Sequence, residues 1–507
     1  MAKDTGWTFE QQLFKAADKL RKNIDAAEYK NVVLGLVFLK YISDNFNEIY
    51  DKLSNHEFTE YDDPEDRDEY SARNVFFVPE KARWNKLQEQ AKLPDIGVKL
   101  DEAMEAIENE NKQLKWVLPK VYWRPNLDSQ VLWWLIDLIS NADLREQAEQ
   151  NKDLFWRVYE YFLGEFANAE GKKWWQFYTP KCIVKMMVEM IEPYKWQVFD
   201  PACWSWWMFV MSEKFVQEHQ GNVQDITIYG QESNQTTWKL AKMNLAIRNI
   251  NSEFVKWNTE WSFLKDAHQD LKADFVLANP PFNQDDWWQE LLQDDVRWQY
   301  WTPPASNANF GWIQHMLYHI KPQWWVMATV LANGSLASNS WWEWDIRRNI
   351  IEADLVDCIL AMPKQLFYNT WIPACIRFLR RWRNKRNWET LFIDASKLWF
   401  MKDRVHRELS DEDIKLVAET YHNWRKWENY EDILWYCKSA TLEEIQKQDY
   451  VLTPWRYVGI KEEEDDGISF EEKMKILTTT LSEQMKQEQV LNEEIKTQLW
   501  KIWFNLE

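Results

Sequence analysis

Apolar residues in the first third of the chain recur at three- and four-residue spacing, the period of a helix with one buried face. The segment TFEQQLFKAADKLRKNIDAAEYKNVVLGLVFLKYISDNF opens a helical stretch from position 8 to about 55. Residues 56–72 are acidic and predict a loop, and helical patterning resumes from about 83 to 170. From about 176 the period shortens. QVFDPAC (197–203), DITIYGQE (225–232), ADFVLANPPF (273–282) and VMATVLANGS (326–335) are short apolar runs ending on polar or turn residues. Helices are predicted between them at 180–192, 207–219, 234–249 and 309–320. Strand–helix alternation predicts an α/β fold with a doubly wound sheet, whose ligands sit beyond the carboxyl ends of the strands. Near 460 the acidic stretch KEEEDDG predicts a linker. Residues 470–503 then place Met474, Leu477, Leu481, Met485, Leu491, Ile495, Leu499 and Ile502 on one side of a charged helix. Such a helix suits a short coiled coil or docking; packing on its own domain is the alternative. The expected organisation is a helical N-terminal domain over 1–150, an α/β domain over 151–460 and a helical segment over 461–507.

Composition changes this picture in four ways. No run of about 18 apolar residues occurs, so no membrane span is expected, and the N-terminal residues lack a signal-peptide pattern. The five cysteines, Cys182, Cys203, Cys358, Cys375 and Cys437, form no CxxC pair, which fits a reduced cytoplasmic protein without a structural zinc site. The formal net charge is −20, so a phosphate-bearing partner must be met by a local basic patch or through another subunit. The fourth feature is abnormal: 36 tryptophans stand against 11 glycines, where average glycine usage of about 7% would place roughly 35. The tryptophans cluster, as in WSWW (204–207) and WWEW (341–344), although each indole needs a large pocket and a partner for its N–H.

Candidate chemistry lies at the predicted strand ends. Asn279-Pro280-Pro281-Phe282 directly follows the strand ADFVLA. Two prolines make a stiff turn without N–H donors, so carbonyl acceptors from the turn and from Asn279 can hold a planar amino group while Phe282 stacks on its ring. Accepting both N–H groups of an exocyclic amine favours a more nucleophilic nitrogen, catalysis by positioning and electrostatics. A rigid turn with no further role is the structural alternative. Asp200-Pro201-Ala202-Cys203-Trp204-Ser205-Trp206-Trp207 follows the first strand; with glycine for each Trp it reads DPACGSGG, a loop whose backbone can approach a ligand. As written, it reads as an aromatic cluster. Glu232, at the end of the next strand, suits ribose hydroxyls. In Gln176-Phe177-Tyr178-Thr179-Pro180, Thr179 suits a helix cap and Pro180 a first helical residue; the alternative is a cofactor-pocket wall. His315 and His319, four apart without a third ligand, read as core or surface residues. Arg377, Arg380, Arg381, Arg383, Lys385 and Arg386 form the one dense basic cluster, a phosphate contact or a solvated hairpin tip.

Together these motifs resemble the modification subunit of type I restriction–modification enzymes over nearly the whole chain. LRKNIDAAEYKNVVLGLVFLKYISD looks like that family's N-terminal helical domain, and GKKWWQFYTP stands where the family has GKKGGxFYTP. DPACWSWWMFV stands for DPACGSGGMFV; IYGQESNQTTWKLAKMNLAIR, LKADFVLANPPFN, VLANGSL, IEADLVDCILAMPKQLFY, LFIDASKL and YVLTPWRYVG continue the match. The resemblance implies a Rossmann-like methyltransferase sheet and S-adenosyl-L-methionine-dependent methylation of the adenine amino group in double-stranded DNA, with the base flipped out of the duplex. It places Asn279, Pro280, Pro281 and Phe282 in the catalytic motif. It places Tyr178, Thr179, Pro180, Asp200, Pro201, Cys203, Ser205 and Glu232 around the cofactor, with no metal. It implies a DNA-specificity subunit as partner, a restriction subunit that can join, and two modification subunits per complex. Two other readings stay open: a catalytically inactive structural subunit, and a methyltransferase acting on a protein glutamine or on RNA.

The departure from the family is almost one exchange, Gly to Trp. Seven tryptophans (Trp7, Trp84, Trp238, Trp287, Trp298, Trp312, Trp424) read as genuine, leaving 29 of the 36 at glycine-like positions. Restoring these raises glycine from 11 to 40 of 507 residues, about 8%, close to average usage. A UGA codon read as glycine in the source but translated as tryptophan accounts for one exchange repeated so often; deliberate mutagenesis is the alternative. A side chain with a Cβ at a left-handed glycine position costs about 1–2 kcal/mol before any clash.

Overall fold

Among the described residues, nine apolar runs pair into one mixed sheet. The computed structural model describes residues 13–14, 26–125, 127–140, 161, 179–193, 196–204, 207–219, 225–260, 262–323, 325–367, 373–381, 386–402, 406–459 and 470–501. The strands are β1 (Trp196–Asp200), β2 (Ile226–Glu232), β3 (Val255–Trp257), β4 (Phe275–Ala278), β5 (Val326–Ala332), β6 (Val356–Ala361), β7 (Ala374–Arg380), β8 (Glu389–Asp394) and, after the small hairpin β9 (Phe400–Met401) and β10 (Arg407–Glu408), β11 (Cys437–Thr441). Their order is β11-β8-β6-β7-β5-β4-β1-β2-β3. β5, β4, β1, β2 and β3 run parallel, β7 runs antiparallel between β5 and β6, and β11 is antiparallel to β8. The four strands read from the sequence are β1, β2, β4 and β5. β4, β5, β6 and β7 are buried at every position, as expected of a sheet covered on both faces.

The helices, in chain order, are α1 (Ala26–Ser54), α2 (Arg67–Ala72), α3 (Trp84–Glu89), α4 (Ile96–Glu110), α5 (Ser129–Ser140), α6 (Lys181–Ile191), α7 (Trp207–Glu218), α8 (Gln235–Ile247), α9 (Asn309–Tyr318), α10 (Trp341–Glu352), α11 (Asp411–Lys426), α12 (Leu442–Lys447), α13 (Trp455–Val458) and α14 (Phe470–Lys501). α6, α7, α8 and α9 match the predicted inter-strand helices within two residues at each end. Apolar α1 is buried from Val32 to Ile42 and tied by a hydrogen bond from the Tyr122 hydroxyl to the Val32 carbonyl at 2.9 Å. The acidic stretch 56–72 is not all loop. It contains α2, because the Asp66 side chain accepts from the Asp68 N–H and caps it.

The chain divides into two compact units, Met1–Val458 and Gly459–Glu507. In the second, α14 exposes Met474, Leu477, Leu481, Met485 and Leu491; Ile502 lies outside the described residues. No helix among the described residues is long and apolar enough to cross a membrane.

The basic cluster divides: Arg381 is exposed, while three of its members turn inward. Arg377 and Arg380 are buried in β7, because alternate side chains of a strand covered on both faces have nowhere else to go. Arg386 is buried too, its guanidinium 3.6 Å over the Trp427 ring. Arg383 and Lys385 lie outside the described residues. Arg380 Nε donates to Asp357 Oδ2 at 3.2 Å and Nη2 to the Tyr421 hydroxyl at 3.1 Å. Asp357 sits where the β6–β7 register shifts, so the ion pair fills a bulge in the sheet. Arg380→Met would leave the buried Asp357 carboxylate its hydrogen bond from the Tyr421 hydroxyl but not the Arg380 cation; the expected loss is about 3 kcal/mol, read as a lowered denaturation midpoint.

Candidate functional site

Parallel register brings three polar residues to one edge of the sheet. Asp200, the last residue of β1, pairs with Gly230 of β2. Glu232 ends β2, and Asn279 follows Ala278 at the end of β4, whose Val276 pairs with Phe199 of β1. All three are buried.

Asp200 Oδ1 accepts from the Ala202 N–H at 3.0 Å, and Glu232 Oε1 from the Asn234 N–H at 2.8 Å. Burial pushes the Asp200 carboxyl up to about 8, helped by the charge of Glu232. Burial likewise raises Glu232 to about 7 against the hydrogen bonds that favour its anion. Among the described residues no cation pairs with either acid. Two desolvated acceptors at a strand edge call for a ligand that brings donors, hydroxyls or an ammonium group.

The β1 loop is pinned from two sides. Cys203 donates S–H to the Gln231 carbonyl at 2.9 Å and N–H to the same oxygen at 3.2 Å. Ser262 Oγ donates to the Pro201 carbonyl at 2.7 Å. The loop lies so close to β2 that a Cβ at Gly230 would stand 2.9 Å from Cys203 Sγ; only glycine fits there. Cys203 is therefore a packing residue in this arrangement. Tyr178 and Ser205 lie outside the described residues.

Asn279 is oriented by a residue a hundred positions earlier. Its Nδ2 donates to Thr179 Oγ1 at 2.7 Å, and both side chains are buried. The sequence reading of Thr179 as a cap for α6 is corrected here: Pro180 takes the cap position with no side-chain cap bond, and the hydroxyl is used by Asn279. Pro280 and Pro281 carry the chain out of β4. Phe282 is buried, 6.0 Å edge-on from Phe367, rather than offered as an open stacking face. The exit of the turn is locked reciprocally. Asn309 Oδ1 accepts from the Asn283 N–H at 2.9 Å, and Asn309 Nδ2 donates to Asn283 Oδ1 at 2.9 Å.

A cleft of about 90 Å³ runs between these elements, with Pro201, Ala202, Trp204, Glu232, Asn279 and Pro281 among its lining residues. Asp200, Cys203 and Phe282 do not line it. Ligand clefts usually hold about 300–1,000 Å³. The polar groups fit a ribose-bearing, cationic ligand, but with Trp204 in its wall the cleft does not have the room. Sequence reasoning missed Gln231, Ser262 and Asn309, which position the loops through contacts 26 to 61 residues apart in the chain; no local pattern marks them.

Asp266 joins His315 and His319 in a buried group whose ligand atoms lie within 4.8 Å of one another, the third member the sequence did not show. His319 Nε2 lies 2.7 Å from Asp266 Oδ2, and Arg297 Nη1 donates to His315 Nδ1 at 3.0 Å. A guanidinium cannot accept, so the neutral His315 ring carries its hydrogen on Nε2. That tautomer, beside a buried guanidinium, makes the group a hydrogen-bonded brace under β1 rather than a cation cage. A larger cleft of about 470 Å³ lies among α6, α7 and α11, but its Lys185 is already paired with Asp411 at 2.8 Å.

Comparison with known proteins gives consistent matches. The family described as N-6 DNA Methylase matches residues 150–466, and that described as HsdM N-terminal domain matches residues 9–139. The type I restriction enzyme HindI methylase subunit of Haemophilus influenzae is 48% identical over 83% of this chain and 99% of its own length. The MjaIX methylase subunit of Methanocaldococcus jannaschii is 37% identical over 96% of this chain and 90% of its own. The crystal structure of a type I restriction–modification methyltransferase subunit from Streptococcus thermophilus superposes with a TM-score of 0.74 at 25% identity, covering 89% of this chain and 99% of that one.

The raised acids set a pH test. A carboxyl whose folded pKa is raised stabilises the fold below its unfolded pKa, and that contribution is lost as pH rises through the folded value. The ligand-free protein is therefore expected to lose stability between about pH 4 and the value of about 8 held by Asp200. Asp200→Asn should flatten this slope and melt higher than the parent at pH 9. Thermal melts at pH 6 and pH 9 check it; parallel melting curves for parent and variant would refute the assignment.

Proposed function

The chain belongs to the N-6 DNA methylase family as a methylase subunit of the type I restriction–modification class, and from that premise we propose that it transfers the methyl group of S-adenosyl-L-methionine to the amino group of adenine in double-stranded DNA. The observation that carries this reading is the Thr179–Asn279 hydrogen bond at the end of β4, beside the buried acids of β1 and β2. With Nδ2 held by Thr179, the Asn279 amide has a fixed plane, and its carbonyl together with that of Pro280 can accept from the two N–H groups of an exocyclic amine. Those bonds draw the nitrogen lone pair out of conjugation, so no strong base is needed. Phe282 stacks on the extruded base once its contact with Phe367 opens. Glu232 takes the ribose hydroxyls, and Asp200 fixes the start of the loop after β1 through the Ala202 N–H. The bound cofactor supplies an electrophilic methyl group. Flipping the base costs a few kcal/mol of unstacking.

The same proposal covers assembly. A net charge of −20 is ill suited to gripping phosphates unaided, which supports a DNA-specificity subunit as the reader of the duplex; two methylase subunits per complex and a restriction subunit that can join complete the proposed assembly. The exposed apolar side chains of α14 support assigning residues 461–507 to docking, with 1–150 as the helical domain and 151–460 as the methyltransferase domain.

The test uses protein purified from its native source with its specificity subunit, labelled cofactor and duplex DNA. Label is expected on the adenine amino nitrogen; label on cytosine, RNA or protein overturns the proposal. Asn279→Ala should lower kcat by about 100-fold or more. Thr179→Val should lower kcat by about tenfold, as loss of one orienting hydrogen bond requires, with little change in KM for the cofactor.

A further inference from the structure

Exposure and backbone conformation set eleven of the tryptophans apart. Of the seven read as genuine, six are described, and every one uses its indole. Trp84, Trp287, Trp298, Trp312 and Trp424 are buried and Trp238 is half-buried. Their indole N–H groups donate to Ser140, Pro304, Leu292, Gln284, Ser439 and Val255 respectively. This is how a folded protein uses tryptophan.

Among the others, Trp325 is buried and the indole N–H groups of Trp257 and Trp344 reach the Ser233 and Asp449 carbonyls at 3.3 Å, but most of those described lie open to solvent. Trp116, Trp123, Trp257, Trp288, Trp301, Trp342, Trp388, Trp399, Trp427, Trp435 and Trp455 are exposed, and none is among the seven read as genuine. Six of these eleven have left-handed backbone: Trp116, Trp288, Trp388, Trp427 and Trp435 with φ between 60° and 67°, and Trp301 with φ 120°. Of the eleven other non-glycine residues with positive φ, seven are asparagine or aspartate, the side chains that tolerate it. A bulky aromatic has no such tolerance. Trp427 shows the geometry most plainly. It follows α11 in left-handed conformation, and the Glu428 N–H reaches back to the Asn423 carbonyl at 3.1 Å. That closure takes glycine at the left-handed position.

We infer that the residue at these positions, and at 204, 206 and 207, is glycine in the functional protein, the codon written as tryptophan being decoded as glycine in the source. At the functional site the exchange has a direct consequence. Trp204 forms part of the wall of a cleft of about 90 Å³; glycine there removes an indole from the space and frees the loop backbone to approach a ligand. The inference rests on the methyltransferase reading only for the identity of that ligand.

Two measurements test it separately from that reading. Peptide mass spectrometry across 199–213 of the protein from its native source is expected to show glycine at 204, 206 and 207; tryptophan there overturns the inference, whatever the protein methylates. The second compares two recombinant full chains, the written one and one carrying W204G, W206G, W207G and the six left-handed exchanges. Calorimetric titration with S-adenosyl-L-methionine should show the written chain binding about 100-fold more weakly or not at all. Equal affinity, or a higher melting temperature for the written chain, overturns the inference. A glycine chain that binds cofactor yet leaves DNA adenine unmethylated overturns the proposed function and leaves the decoding intact.

Discussion

Two buried carboxylates, neither paired with a cation among the described residues, impose the main electrostatic constraint on this site. Removing an ionised carboxylate from water costs several kcal/mol even after relaxation. The group responds by holding its proton, which is why Asp200 and Glu232 titrate near about 8 and about 7. Parallel pairing imposes the position, because Asp200 ends β1 opposite Gly230 and Glu232 ends β2 two residues further on, at the same edge of the sheet. Helices over both faces of the sheet exclude the water that would otherwise solvate the acids. A ligand that brings its own donors would offset this cost, so the same geometry that weakens the empty protein at high pH would favour the proposed cofactor.

The turn after β4 depends on a different kind of constraint. The proposed role of Asn279 requires a fixed amide plane, and the group that fixes it comes from the segment before α6. Asn283 and Asn309 fix the other end of the turn. The turn therefore hangs between two remote anchors, and displacement of either end changes the acceptor geometry by more than catalysis tolerates. The brace of Asp266, His315 and His319 lies beneath β1, with Phe199 5.1 Å from the His319 ring, and stiffens the floor of this arrangement rather than reacting.

The tryptophan pattern separates what a backbone requires from what a side chain contributes. At positions such as 427 and 301 the surrounding chain dictates a left-handed residue, and the fold adopts it although the written side chain resists. The apolar spacing of the other positions carries enough information to direct the architecture despite 29 such exchanges. At 204 the same exchange touches function, since there the small residue makes room for a ligand instead of closing a turn.

Strand–helix alternation, the four strand-end motifs and the helices between them were legible from residue order, because periodicities of 2 and 3.6 are local properties of a chain with one face to bury. The resemblance to a methylase family was legible for the same reason, in contiguous motifs at those strand ends. The antiparallel insertion of β7, the burial of Arg377 and Arg380, the use of Thr179 by Asn279 and the joining of Asp266 to His315 and His319 were not. Each depends on which distant segments the sheet order brings together, and a hydrogen bond spanning a hundred residues leaves no mark on the sequence near either partner. The residues available at the site were set by the chain; which of them act, and which only pack, was decided by tertiary register and burial.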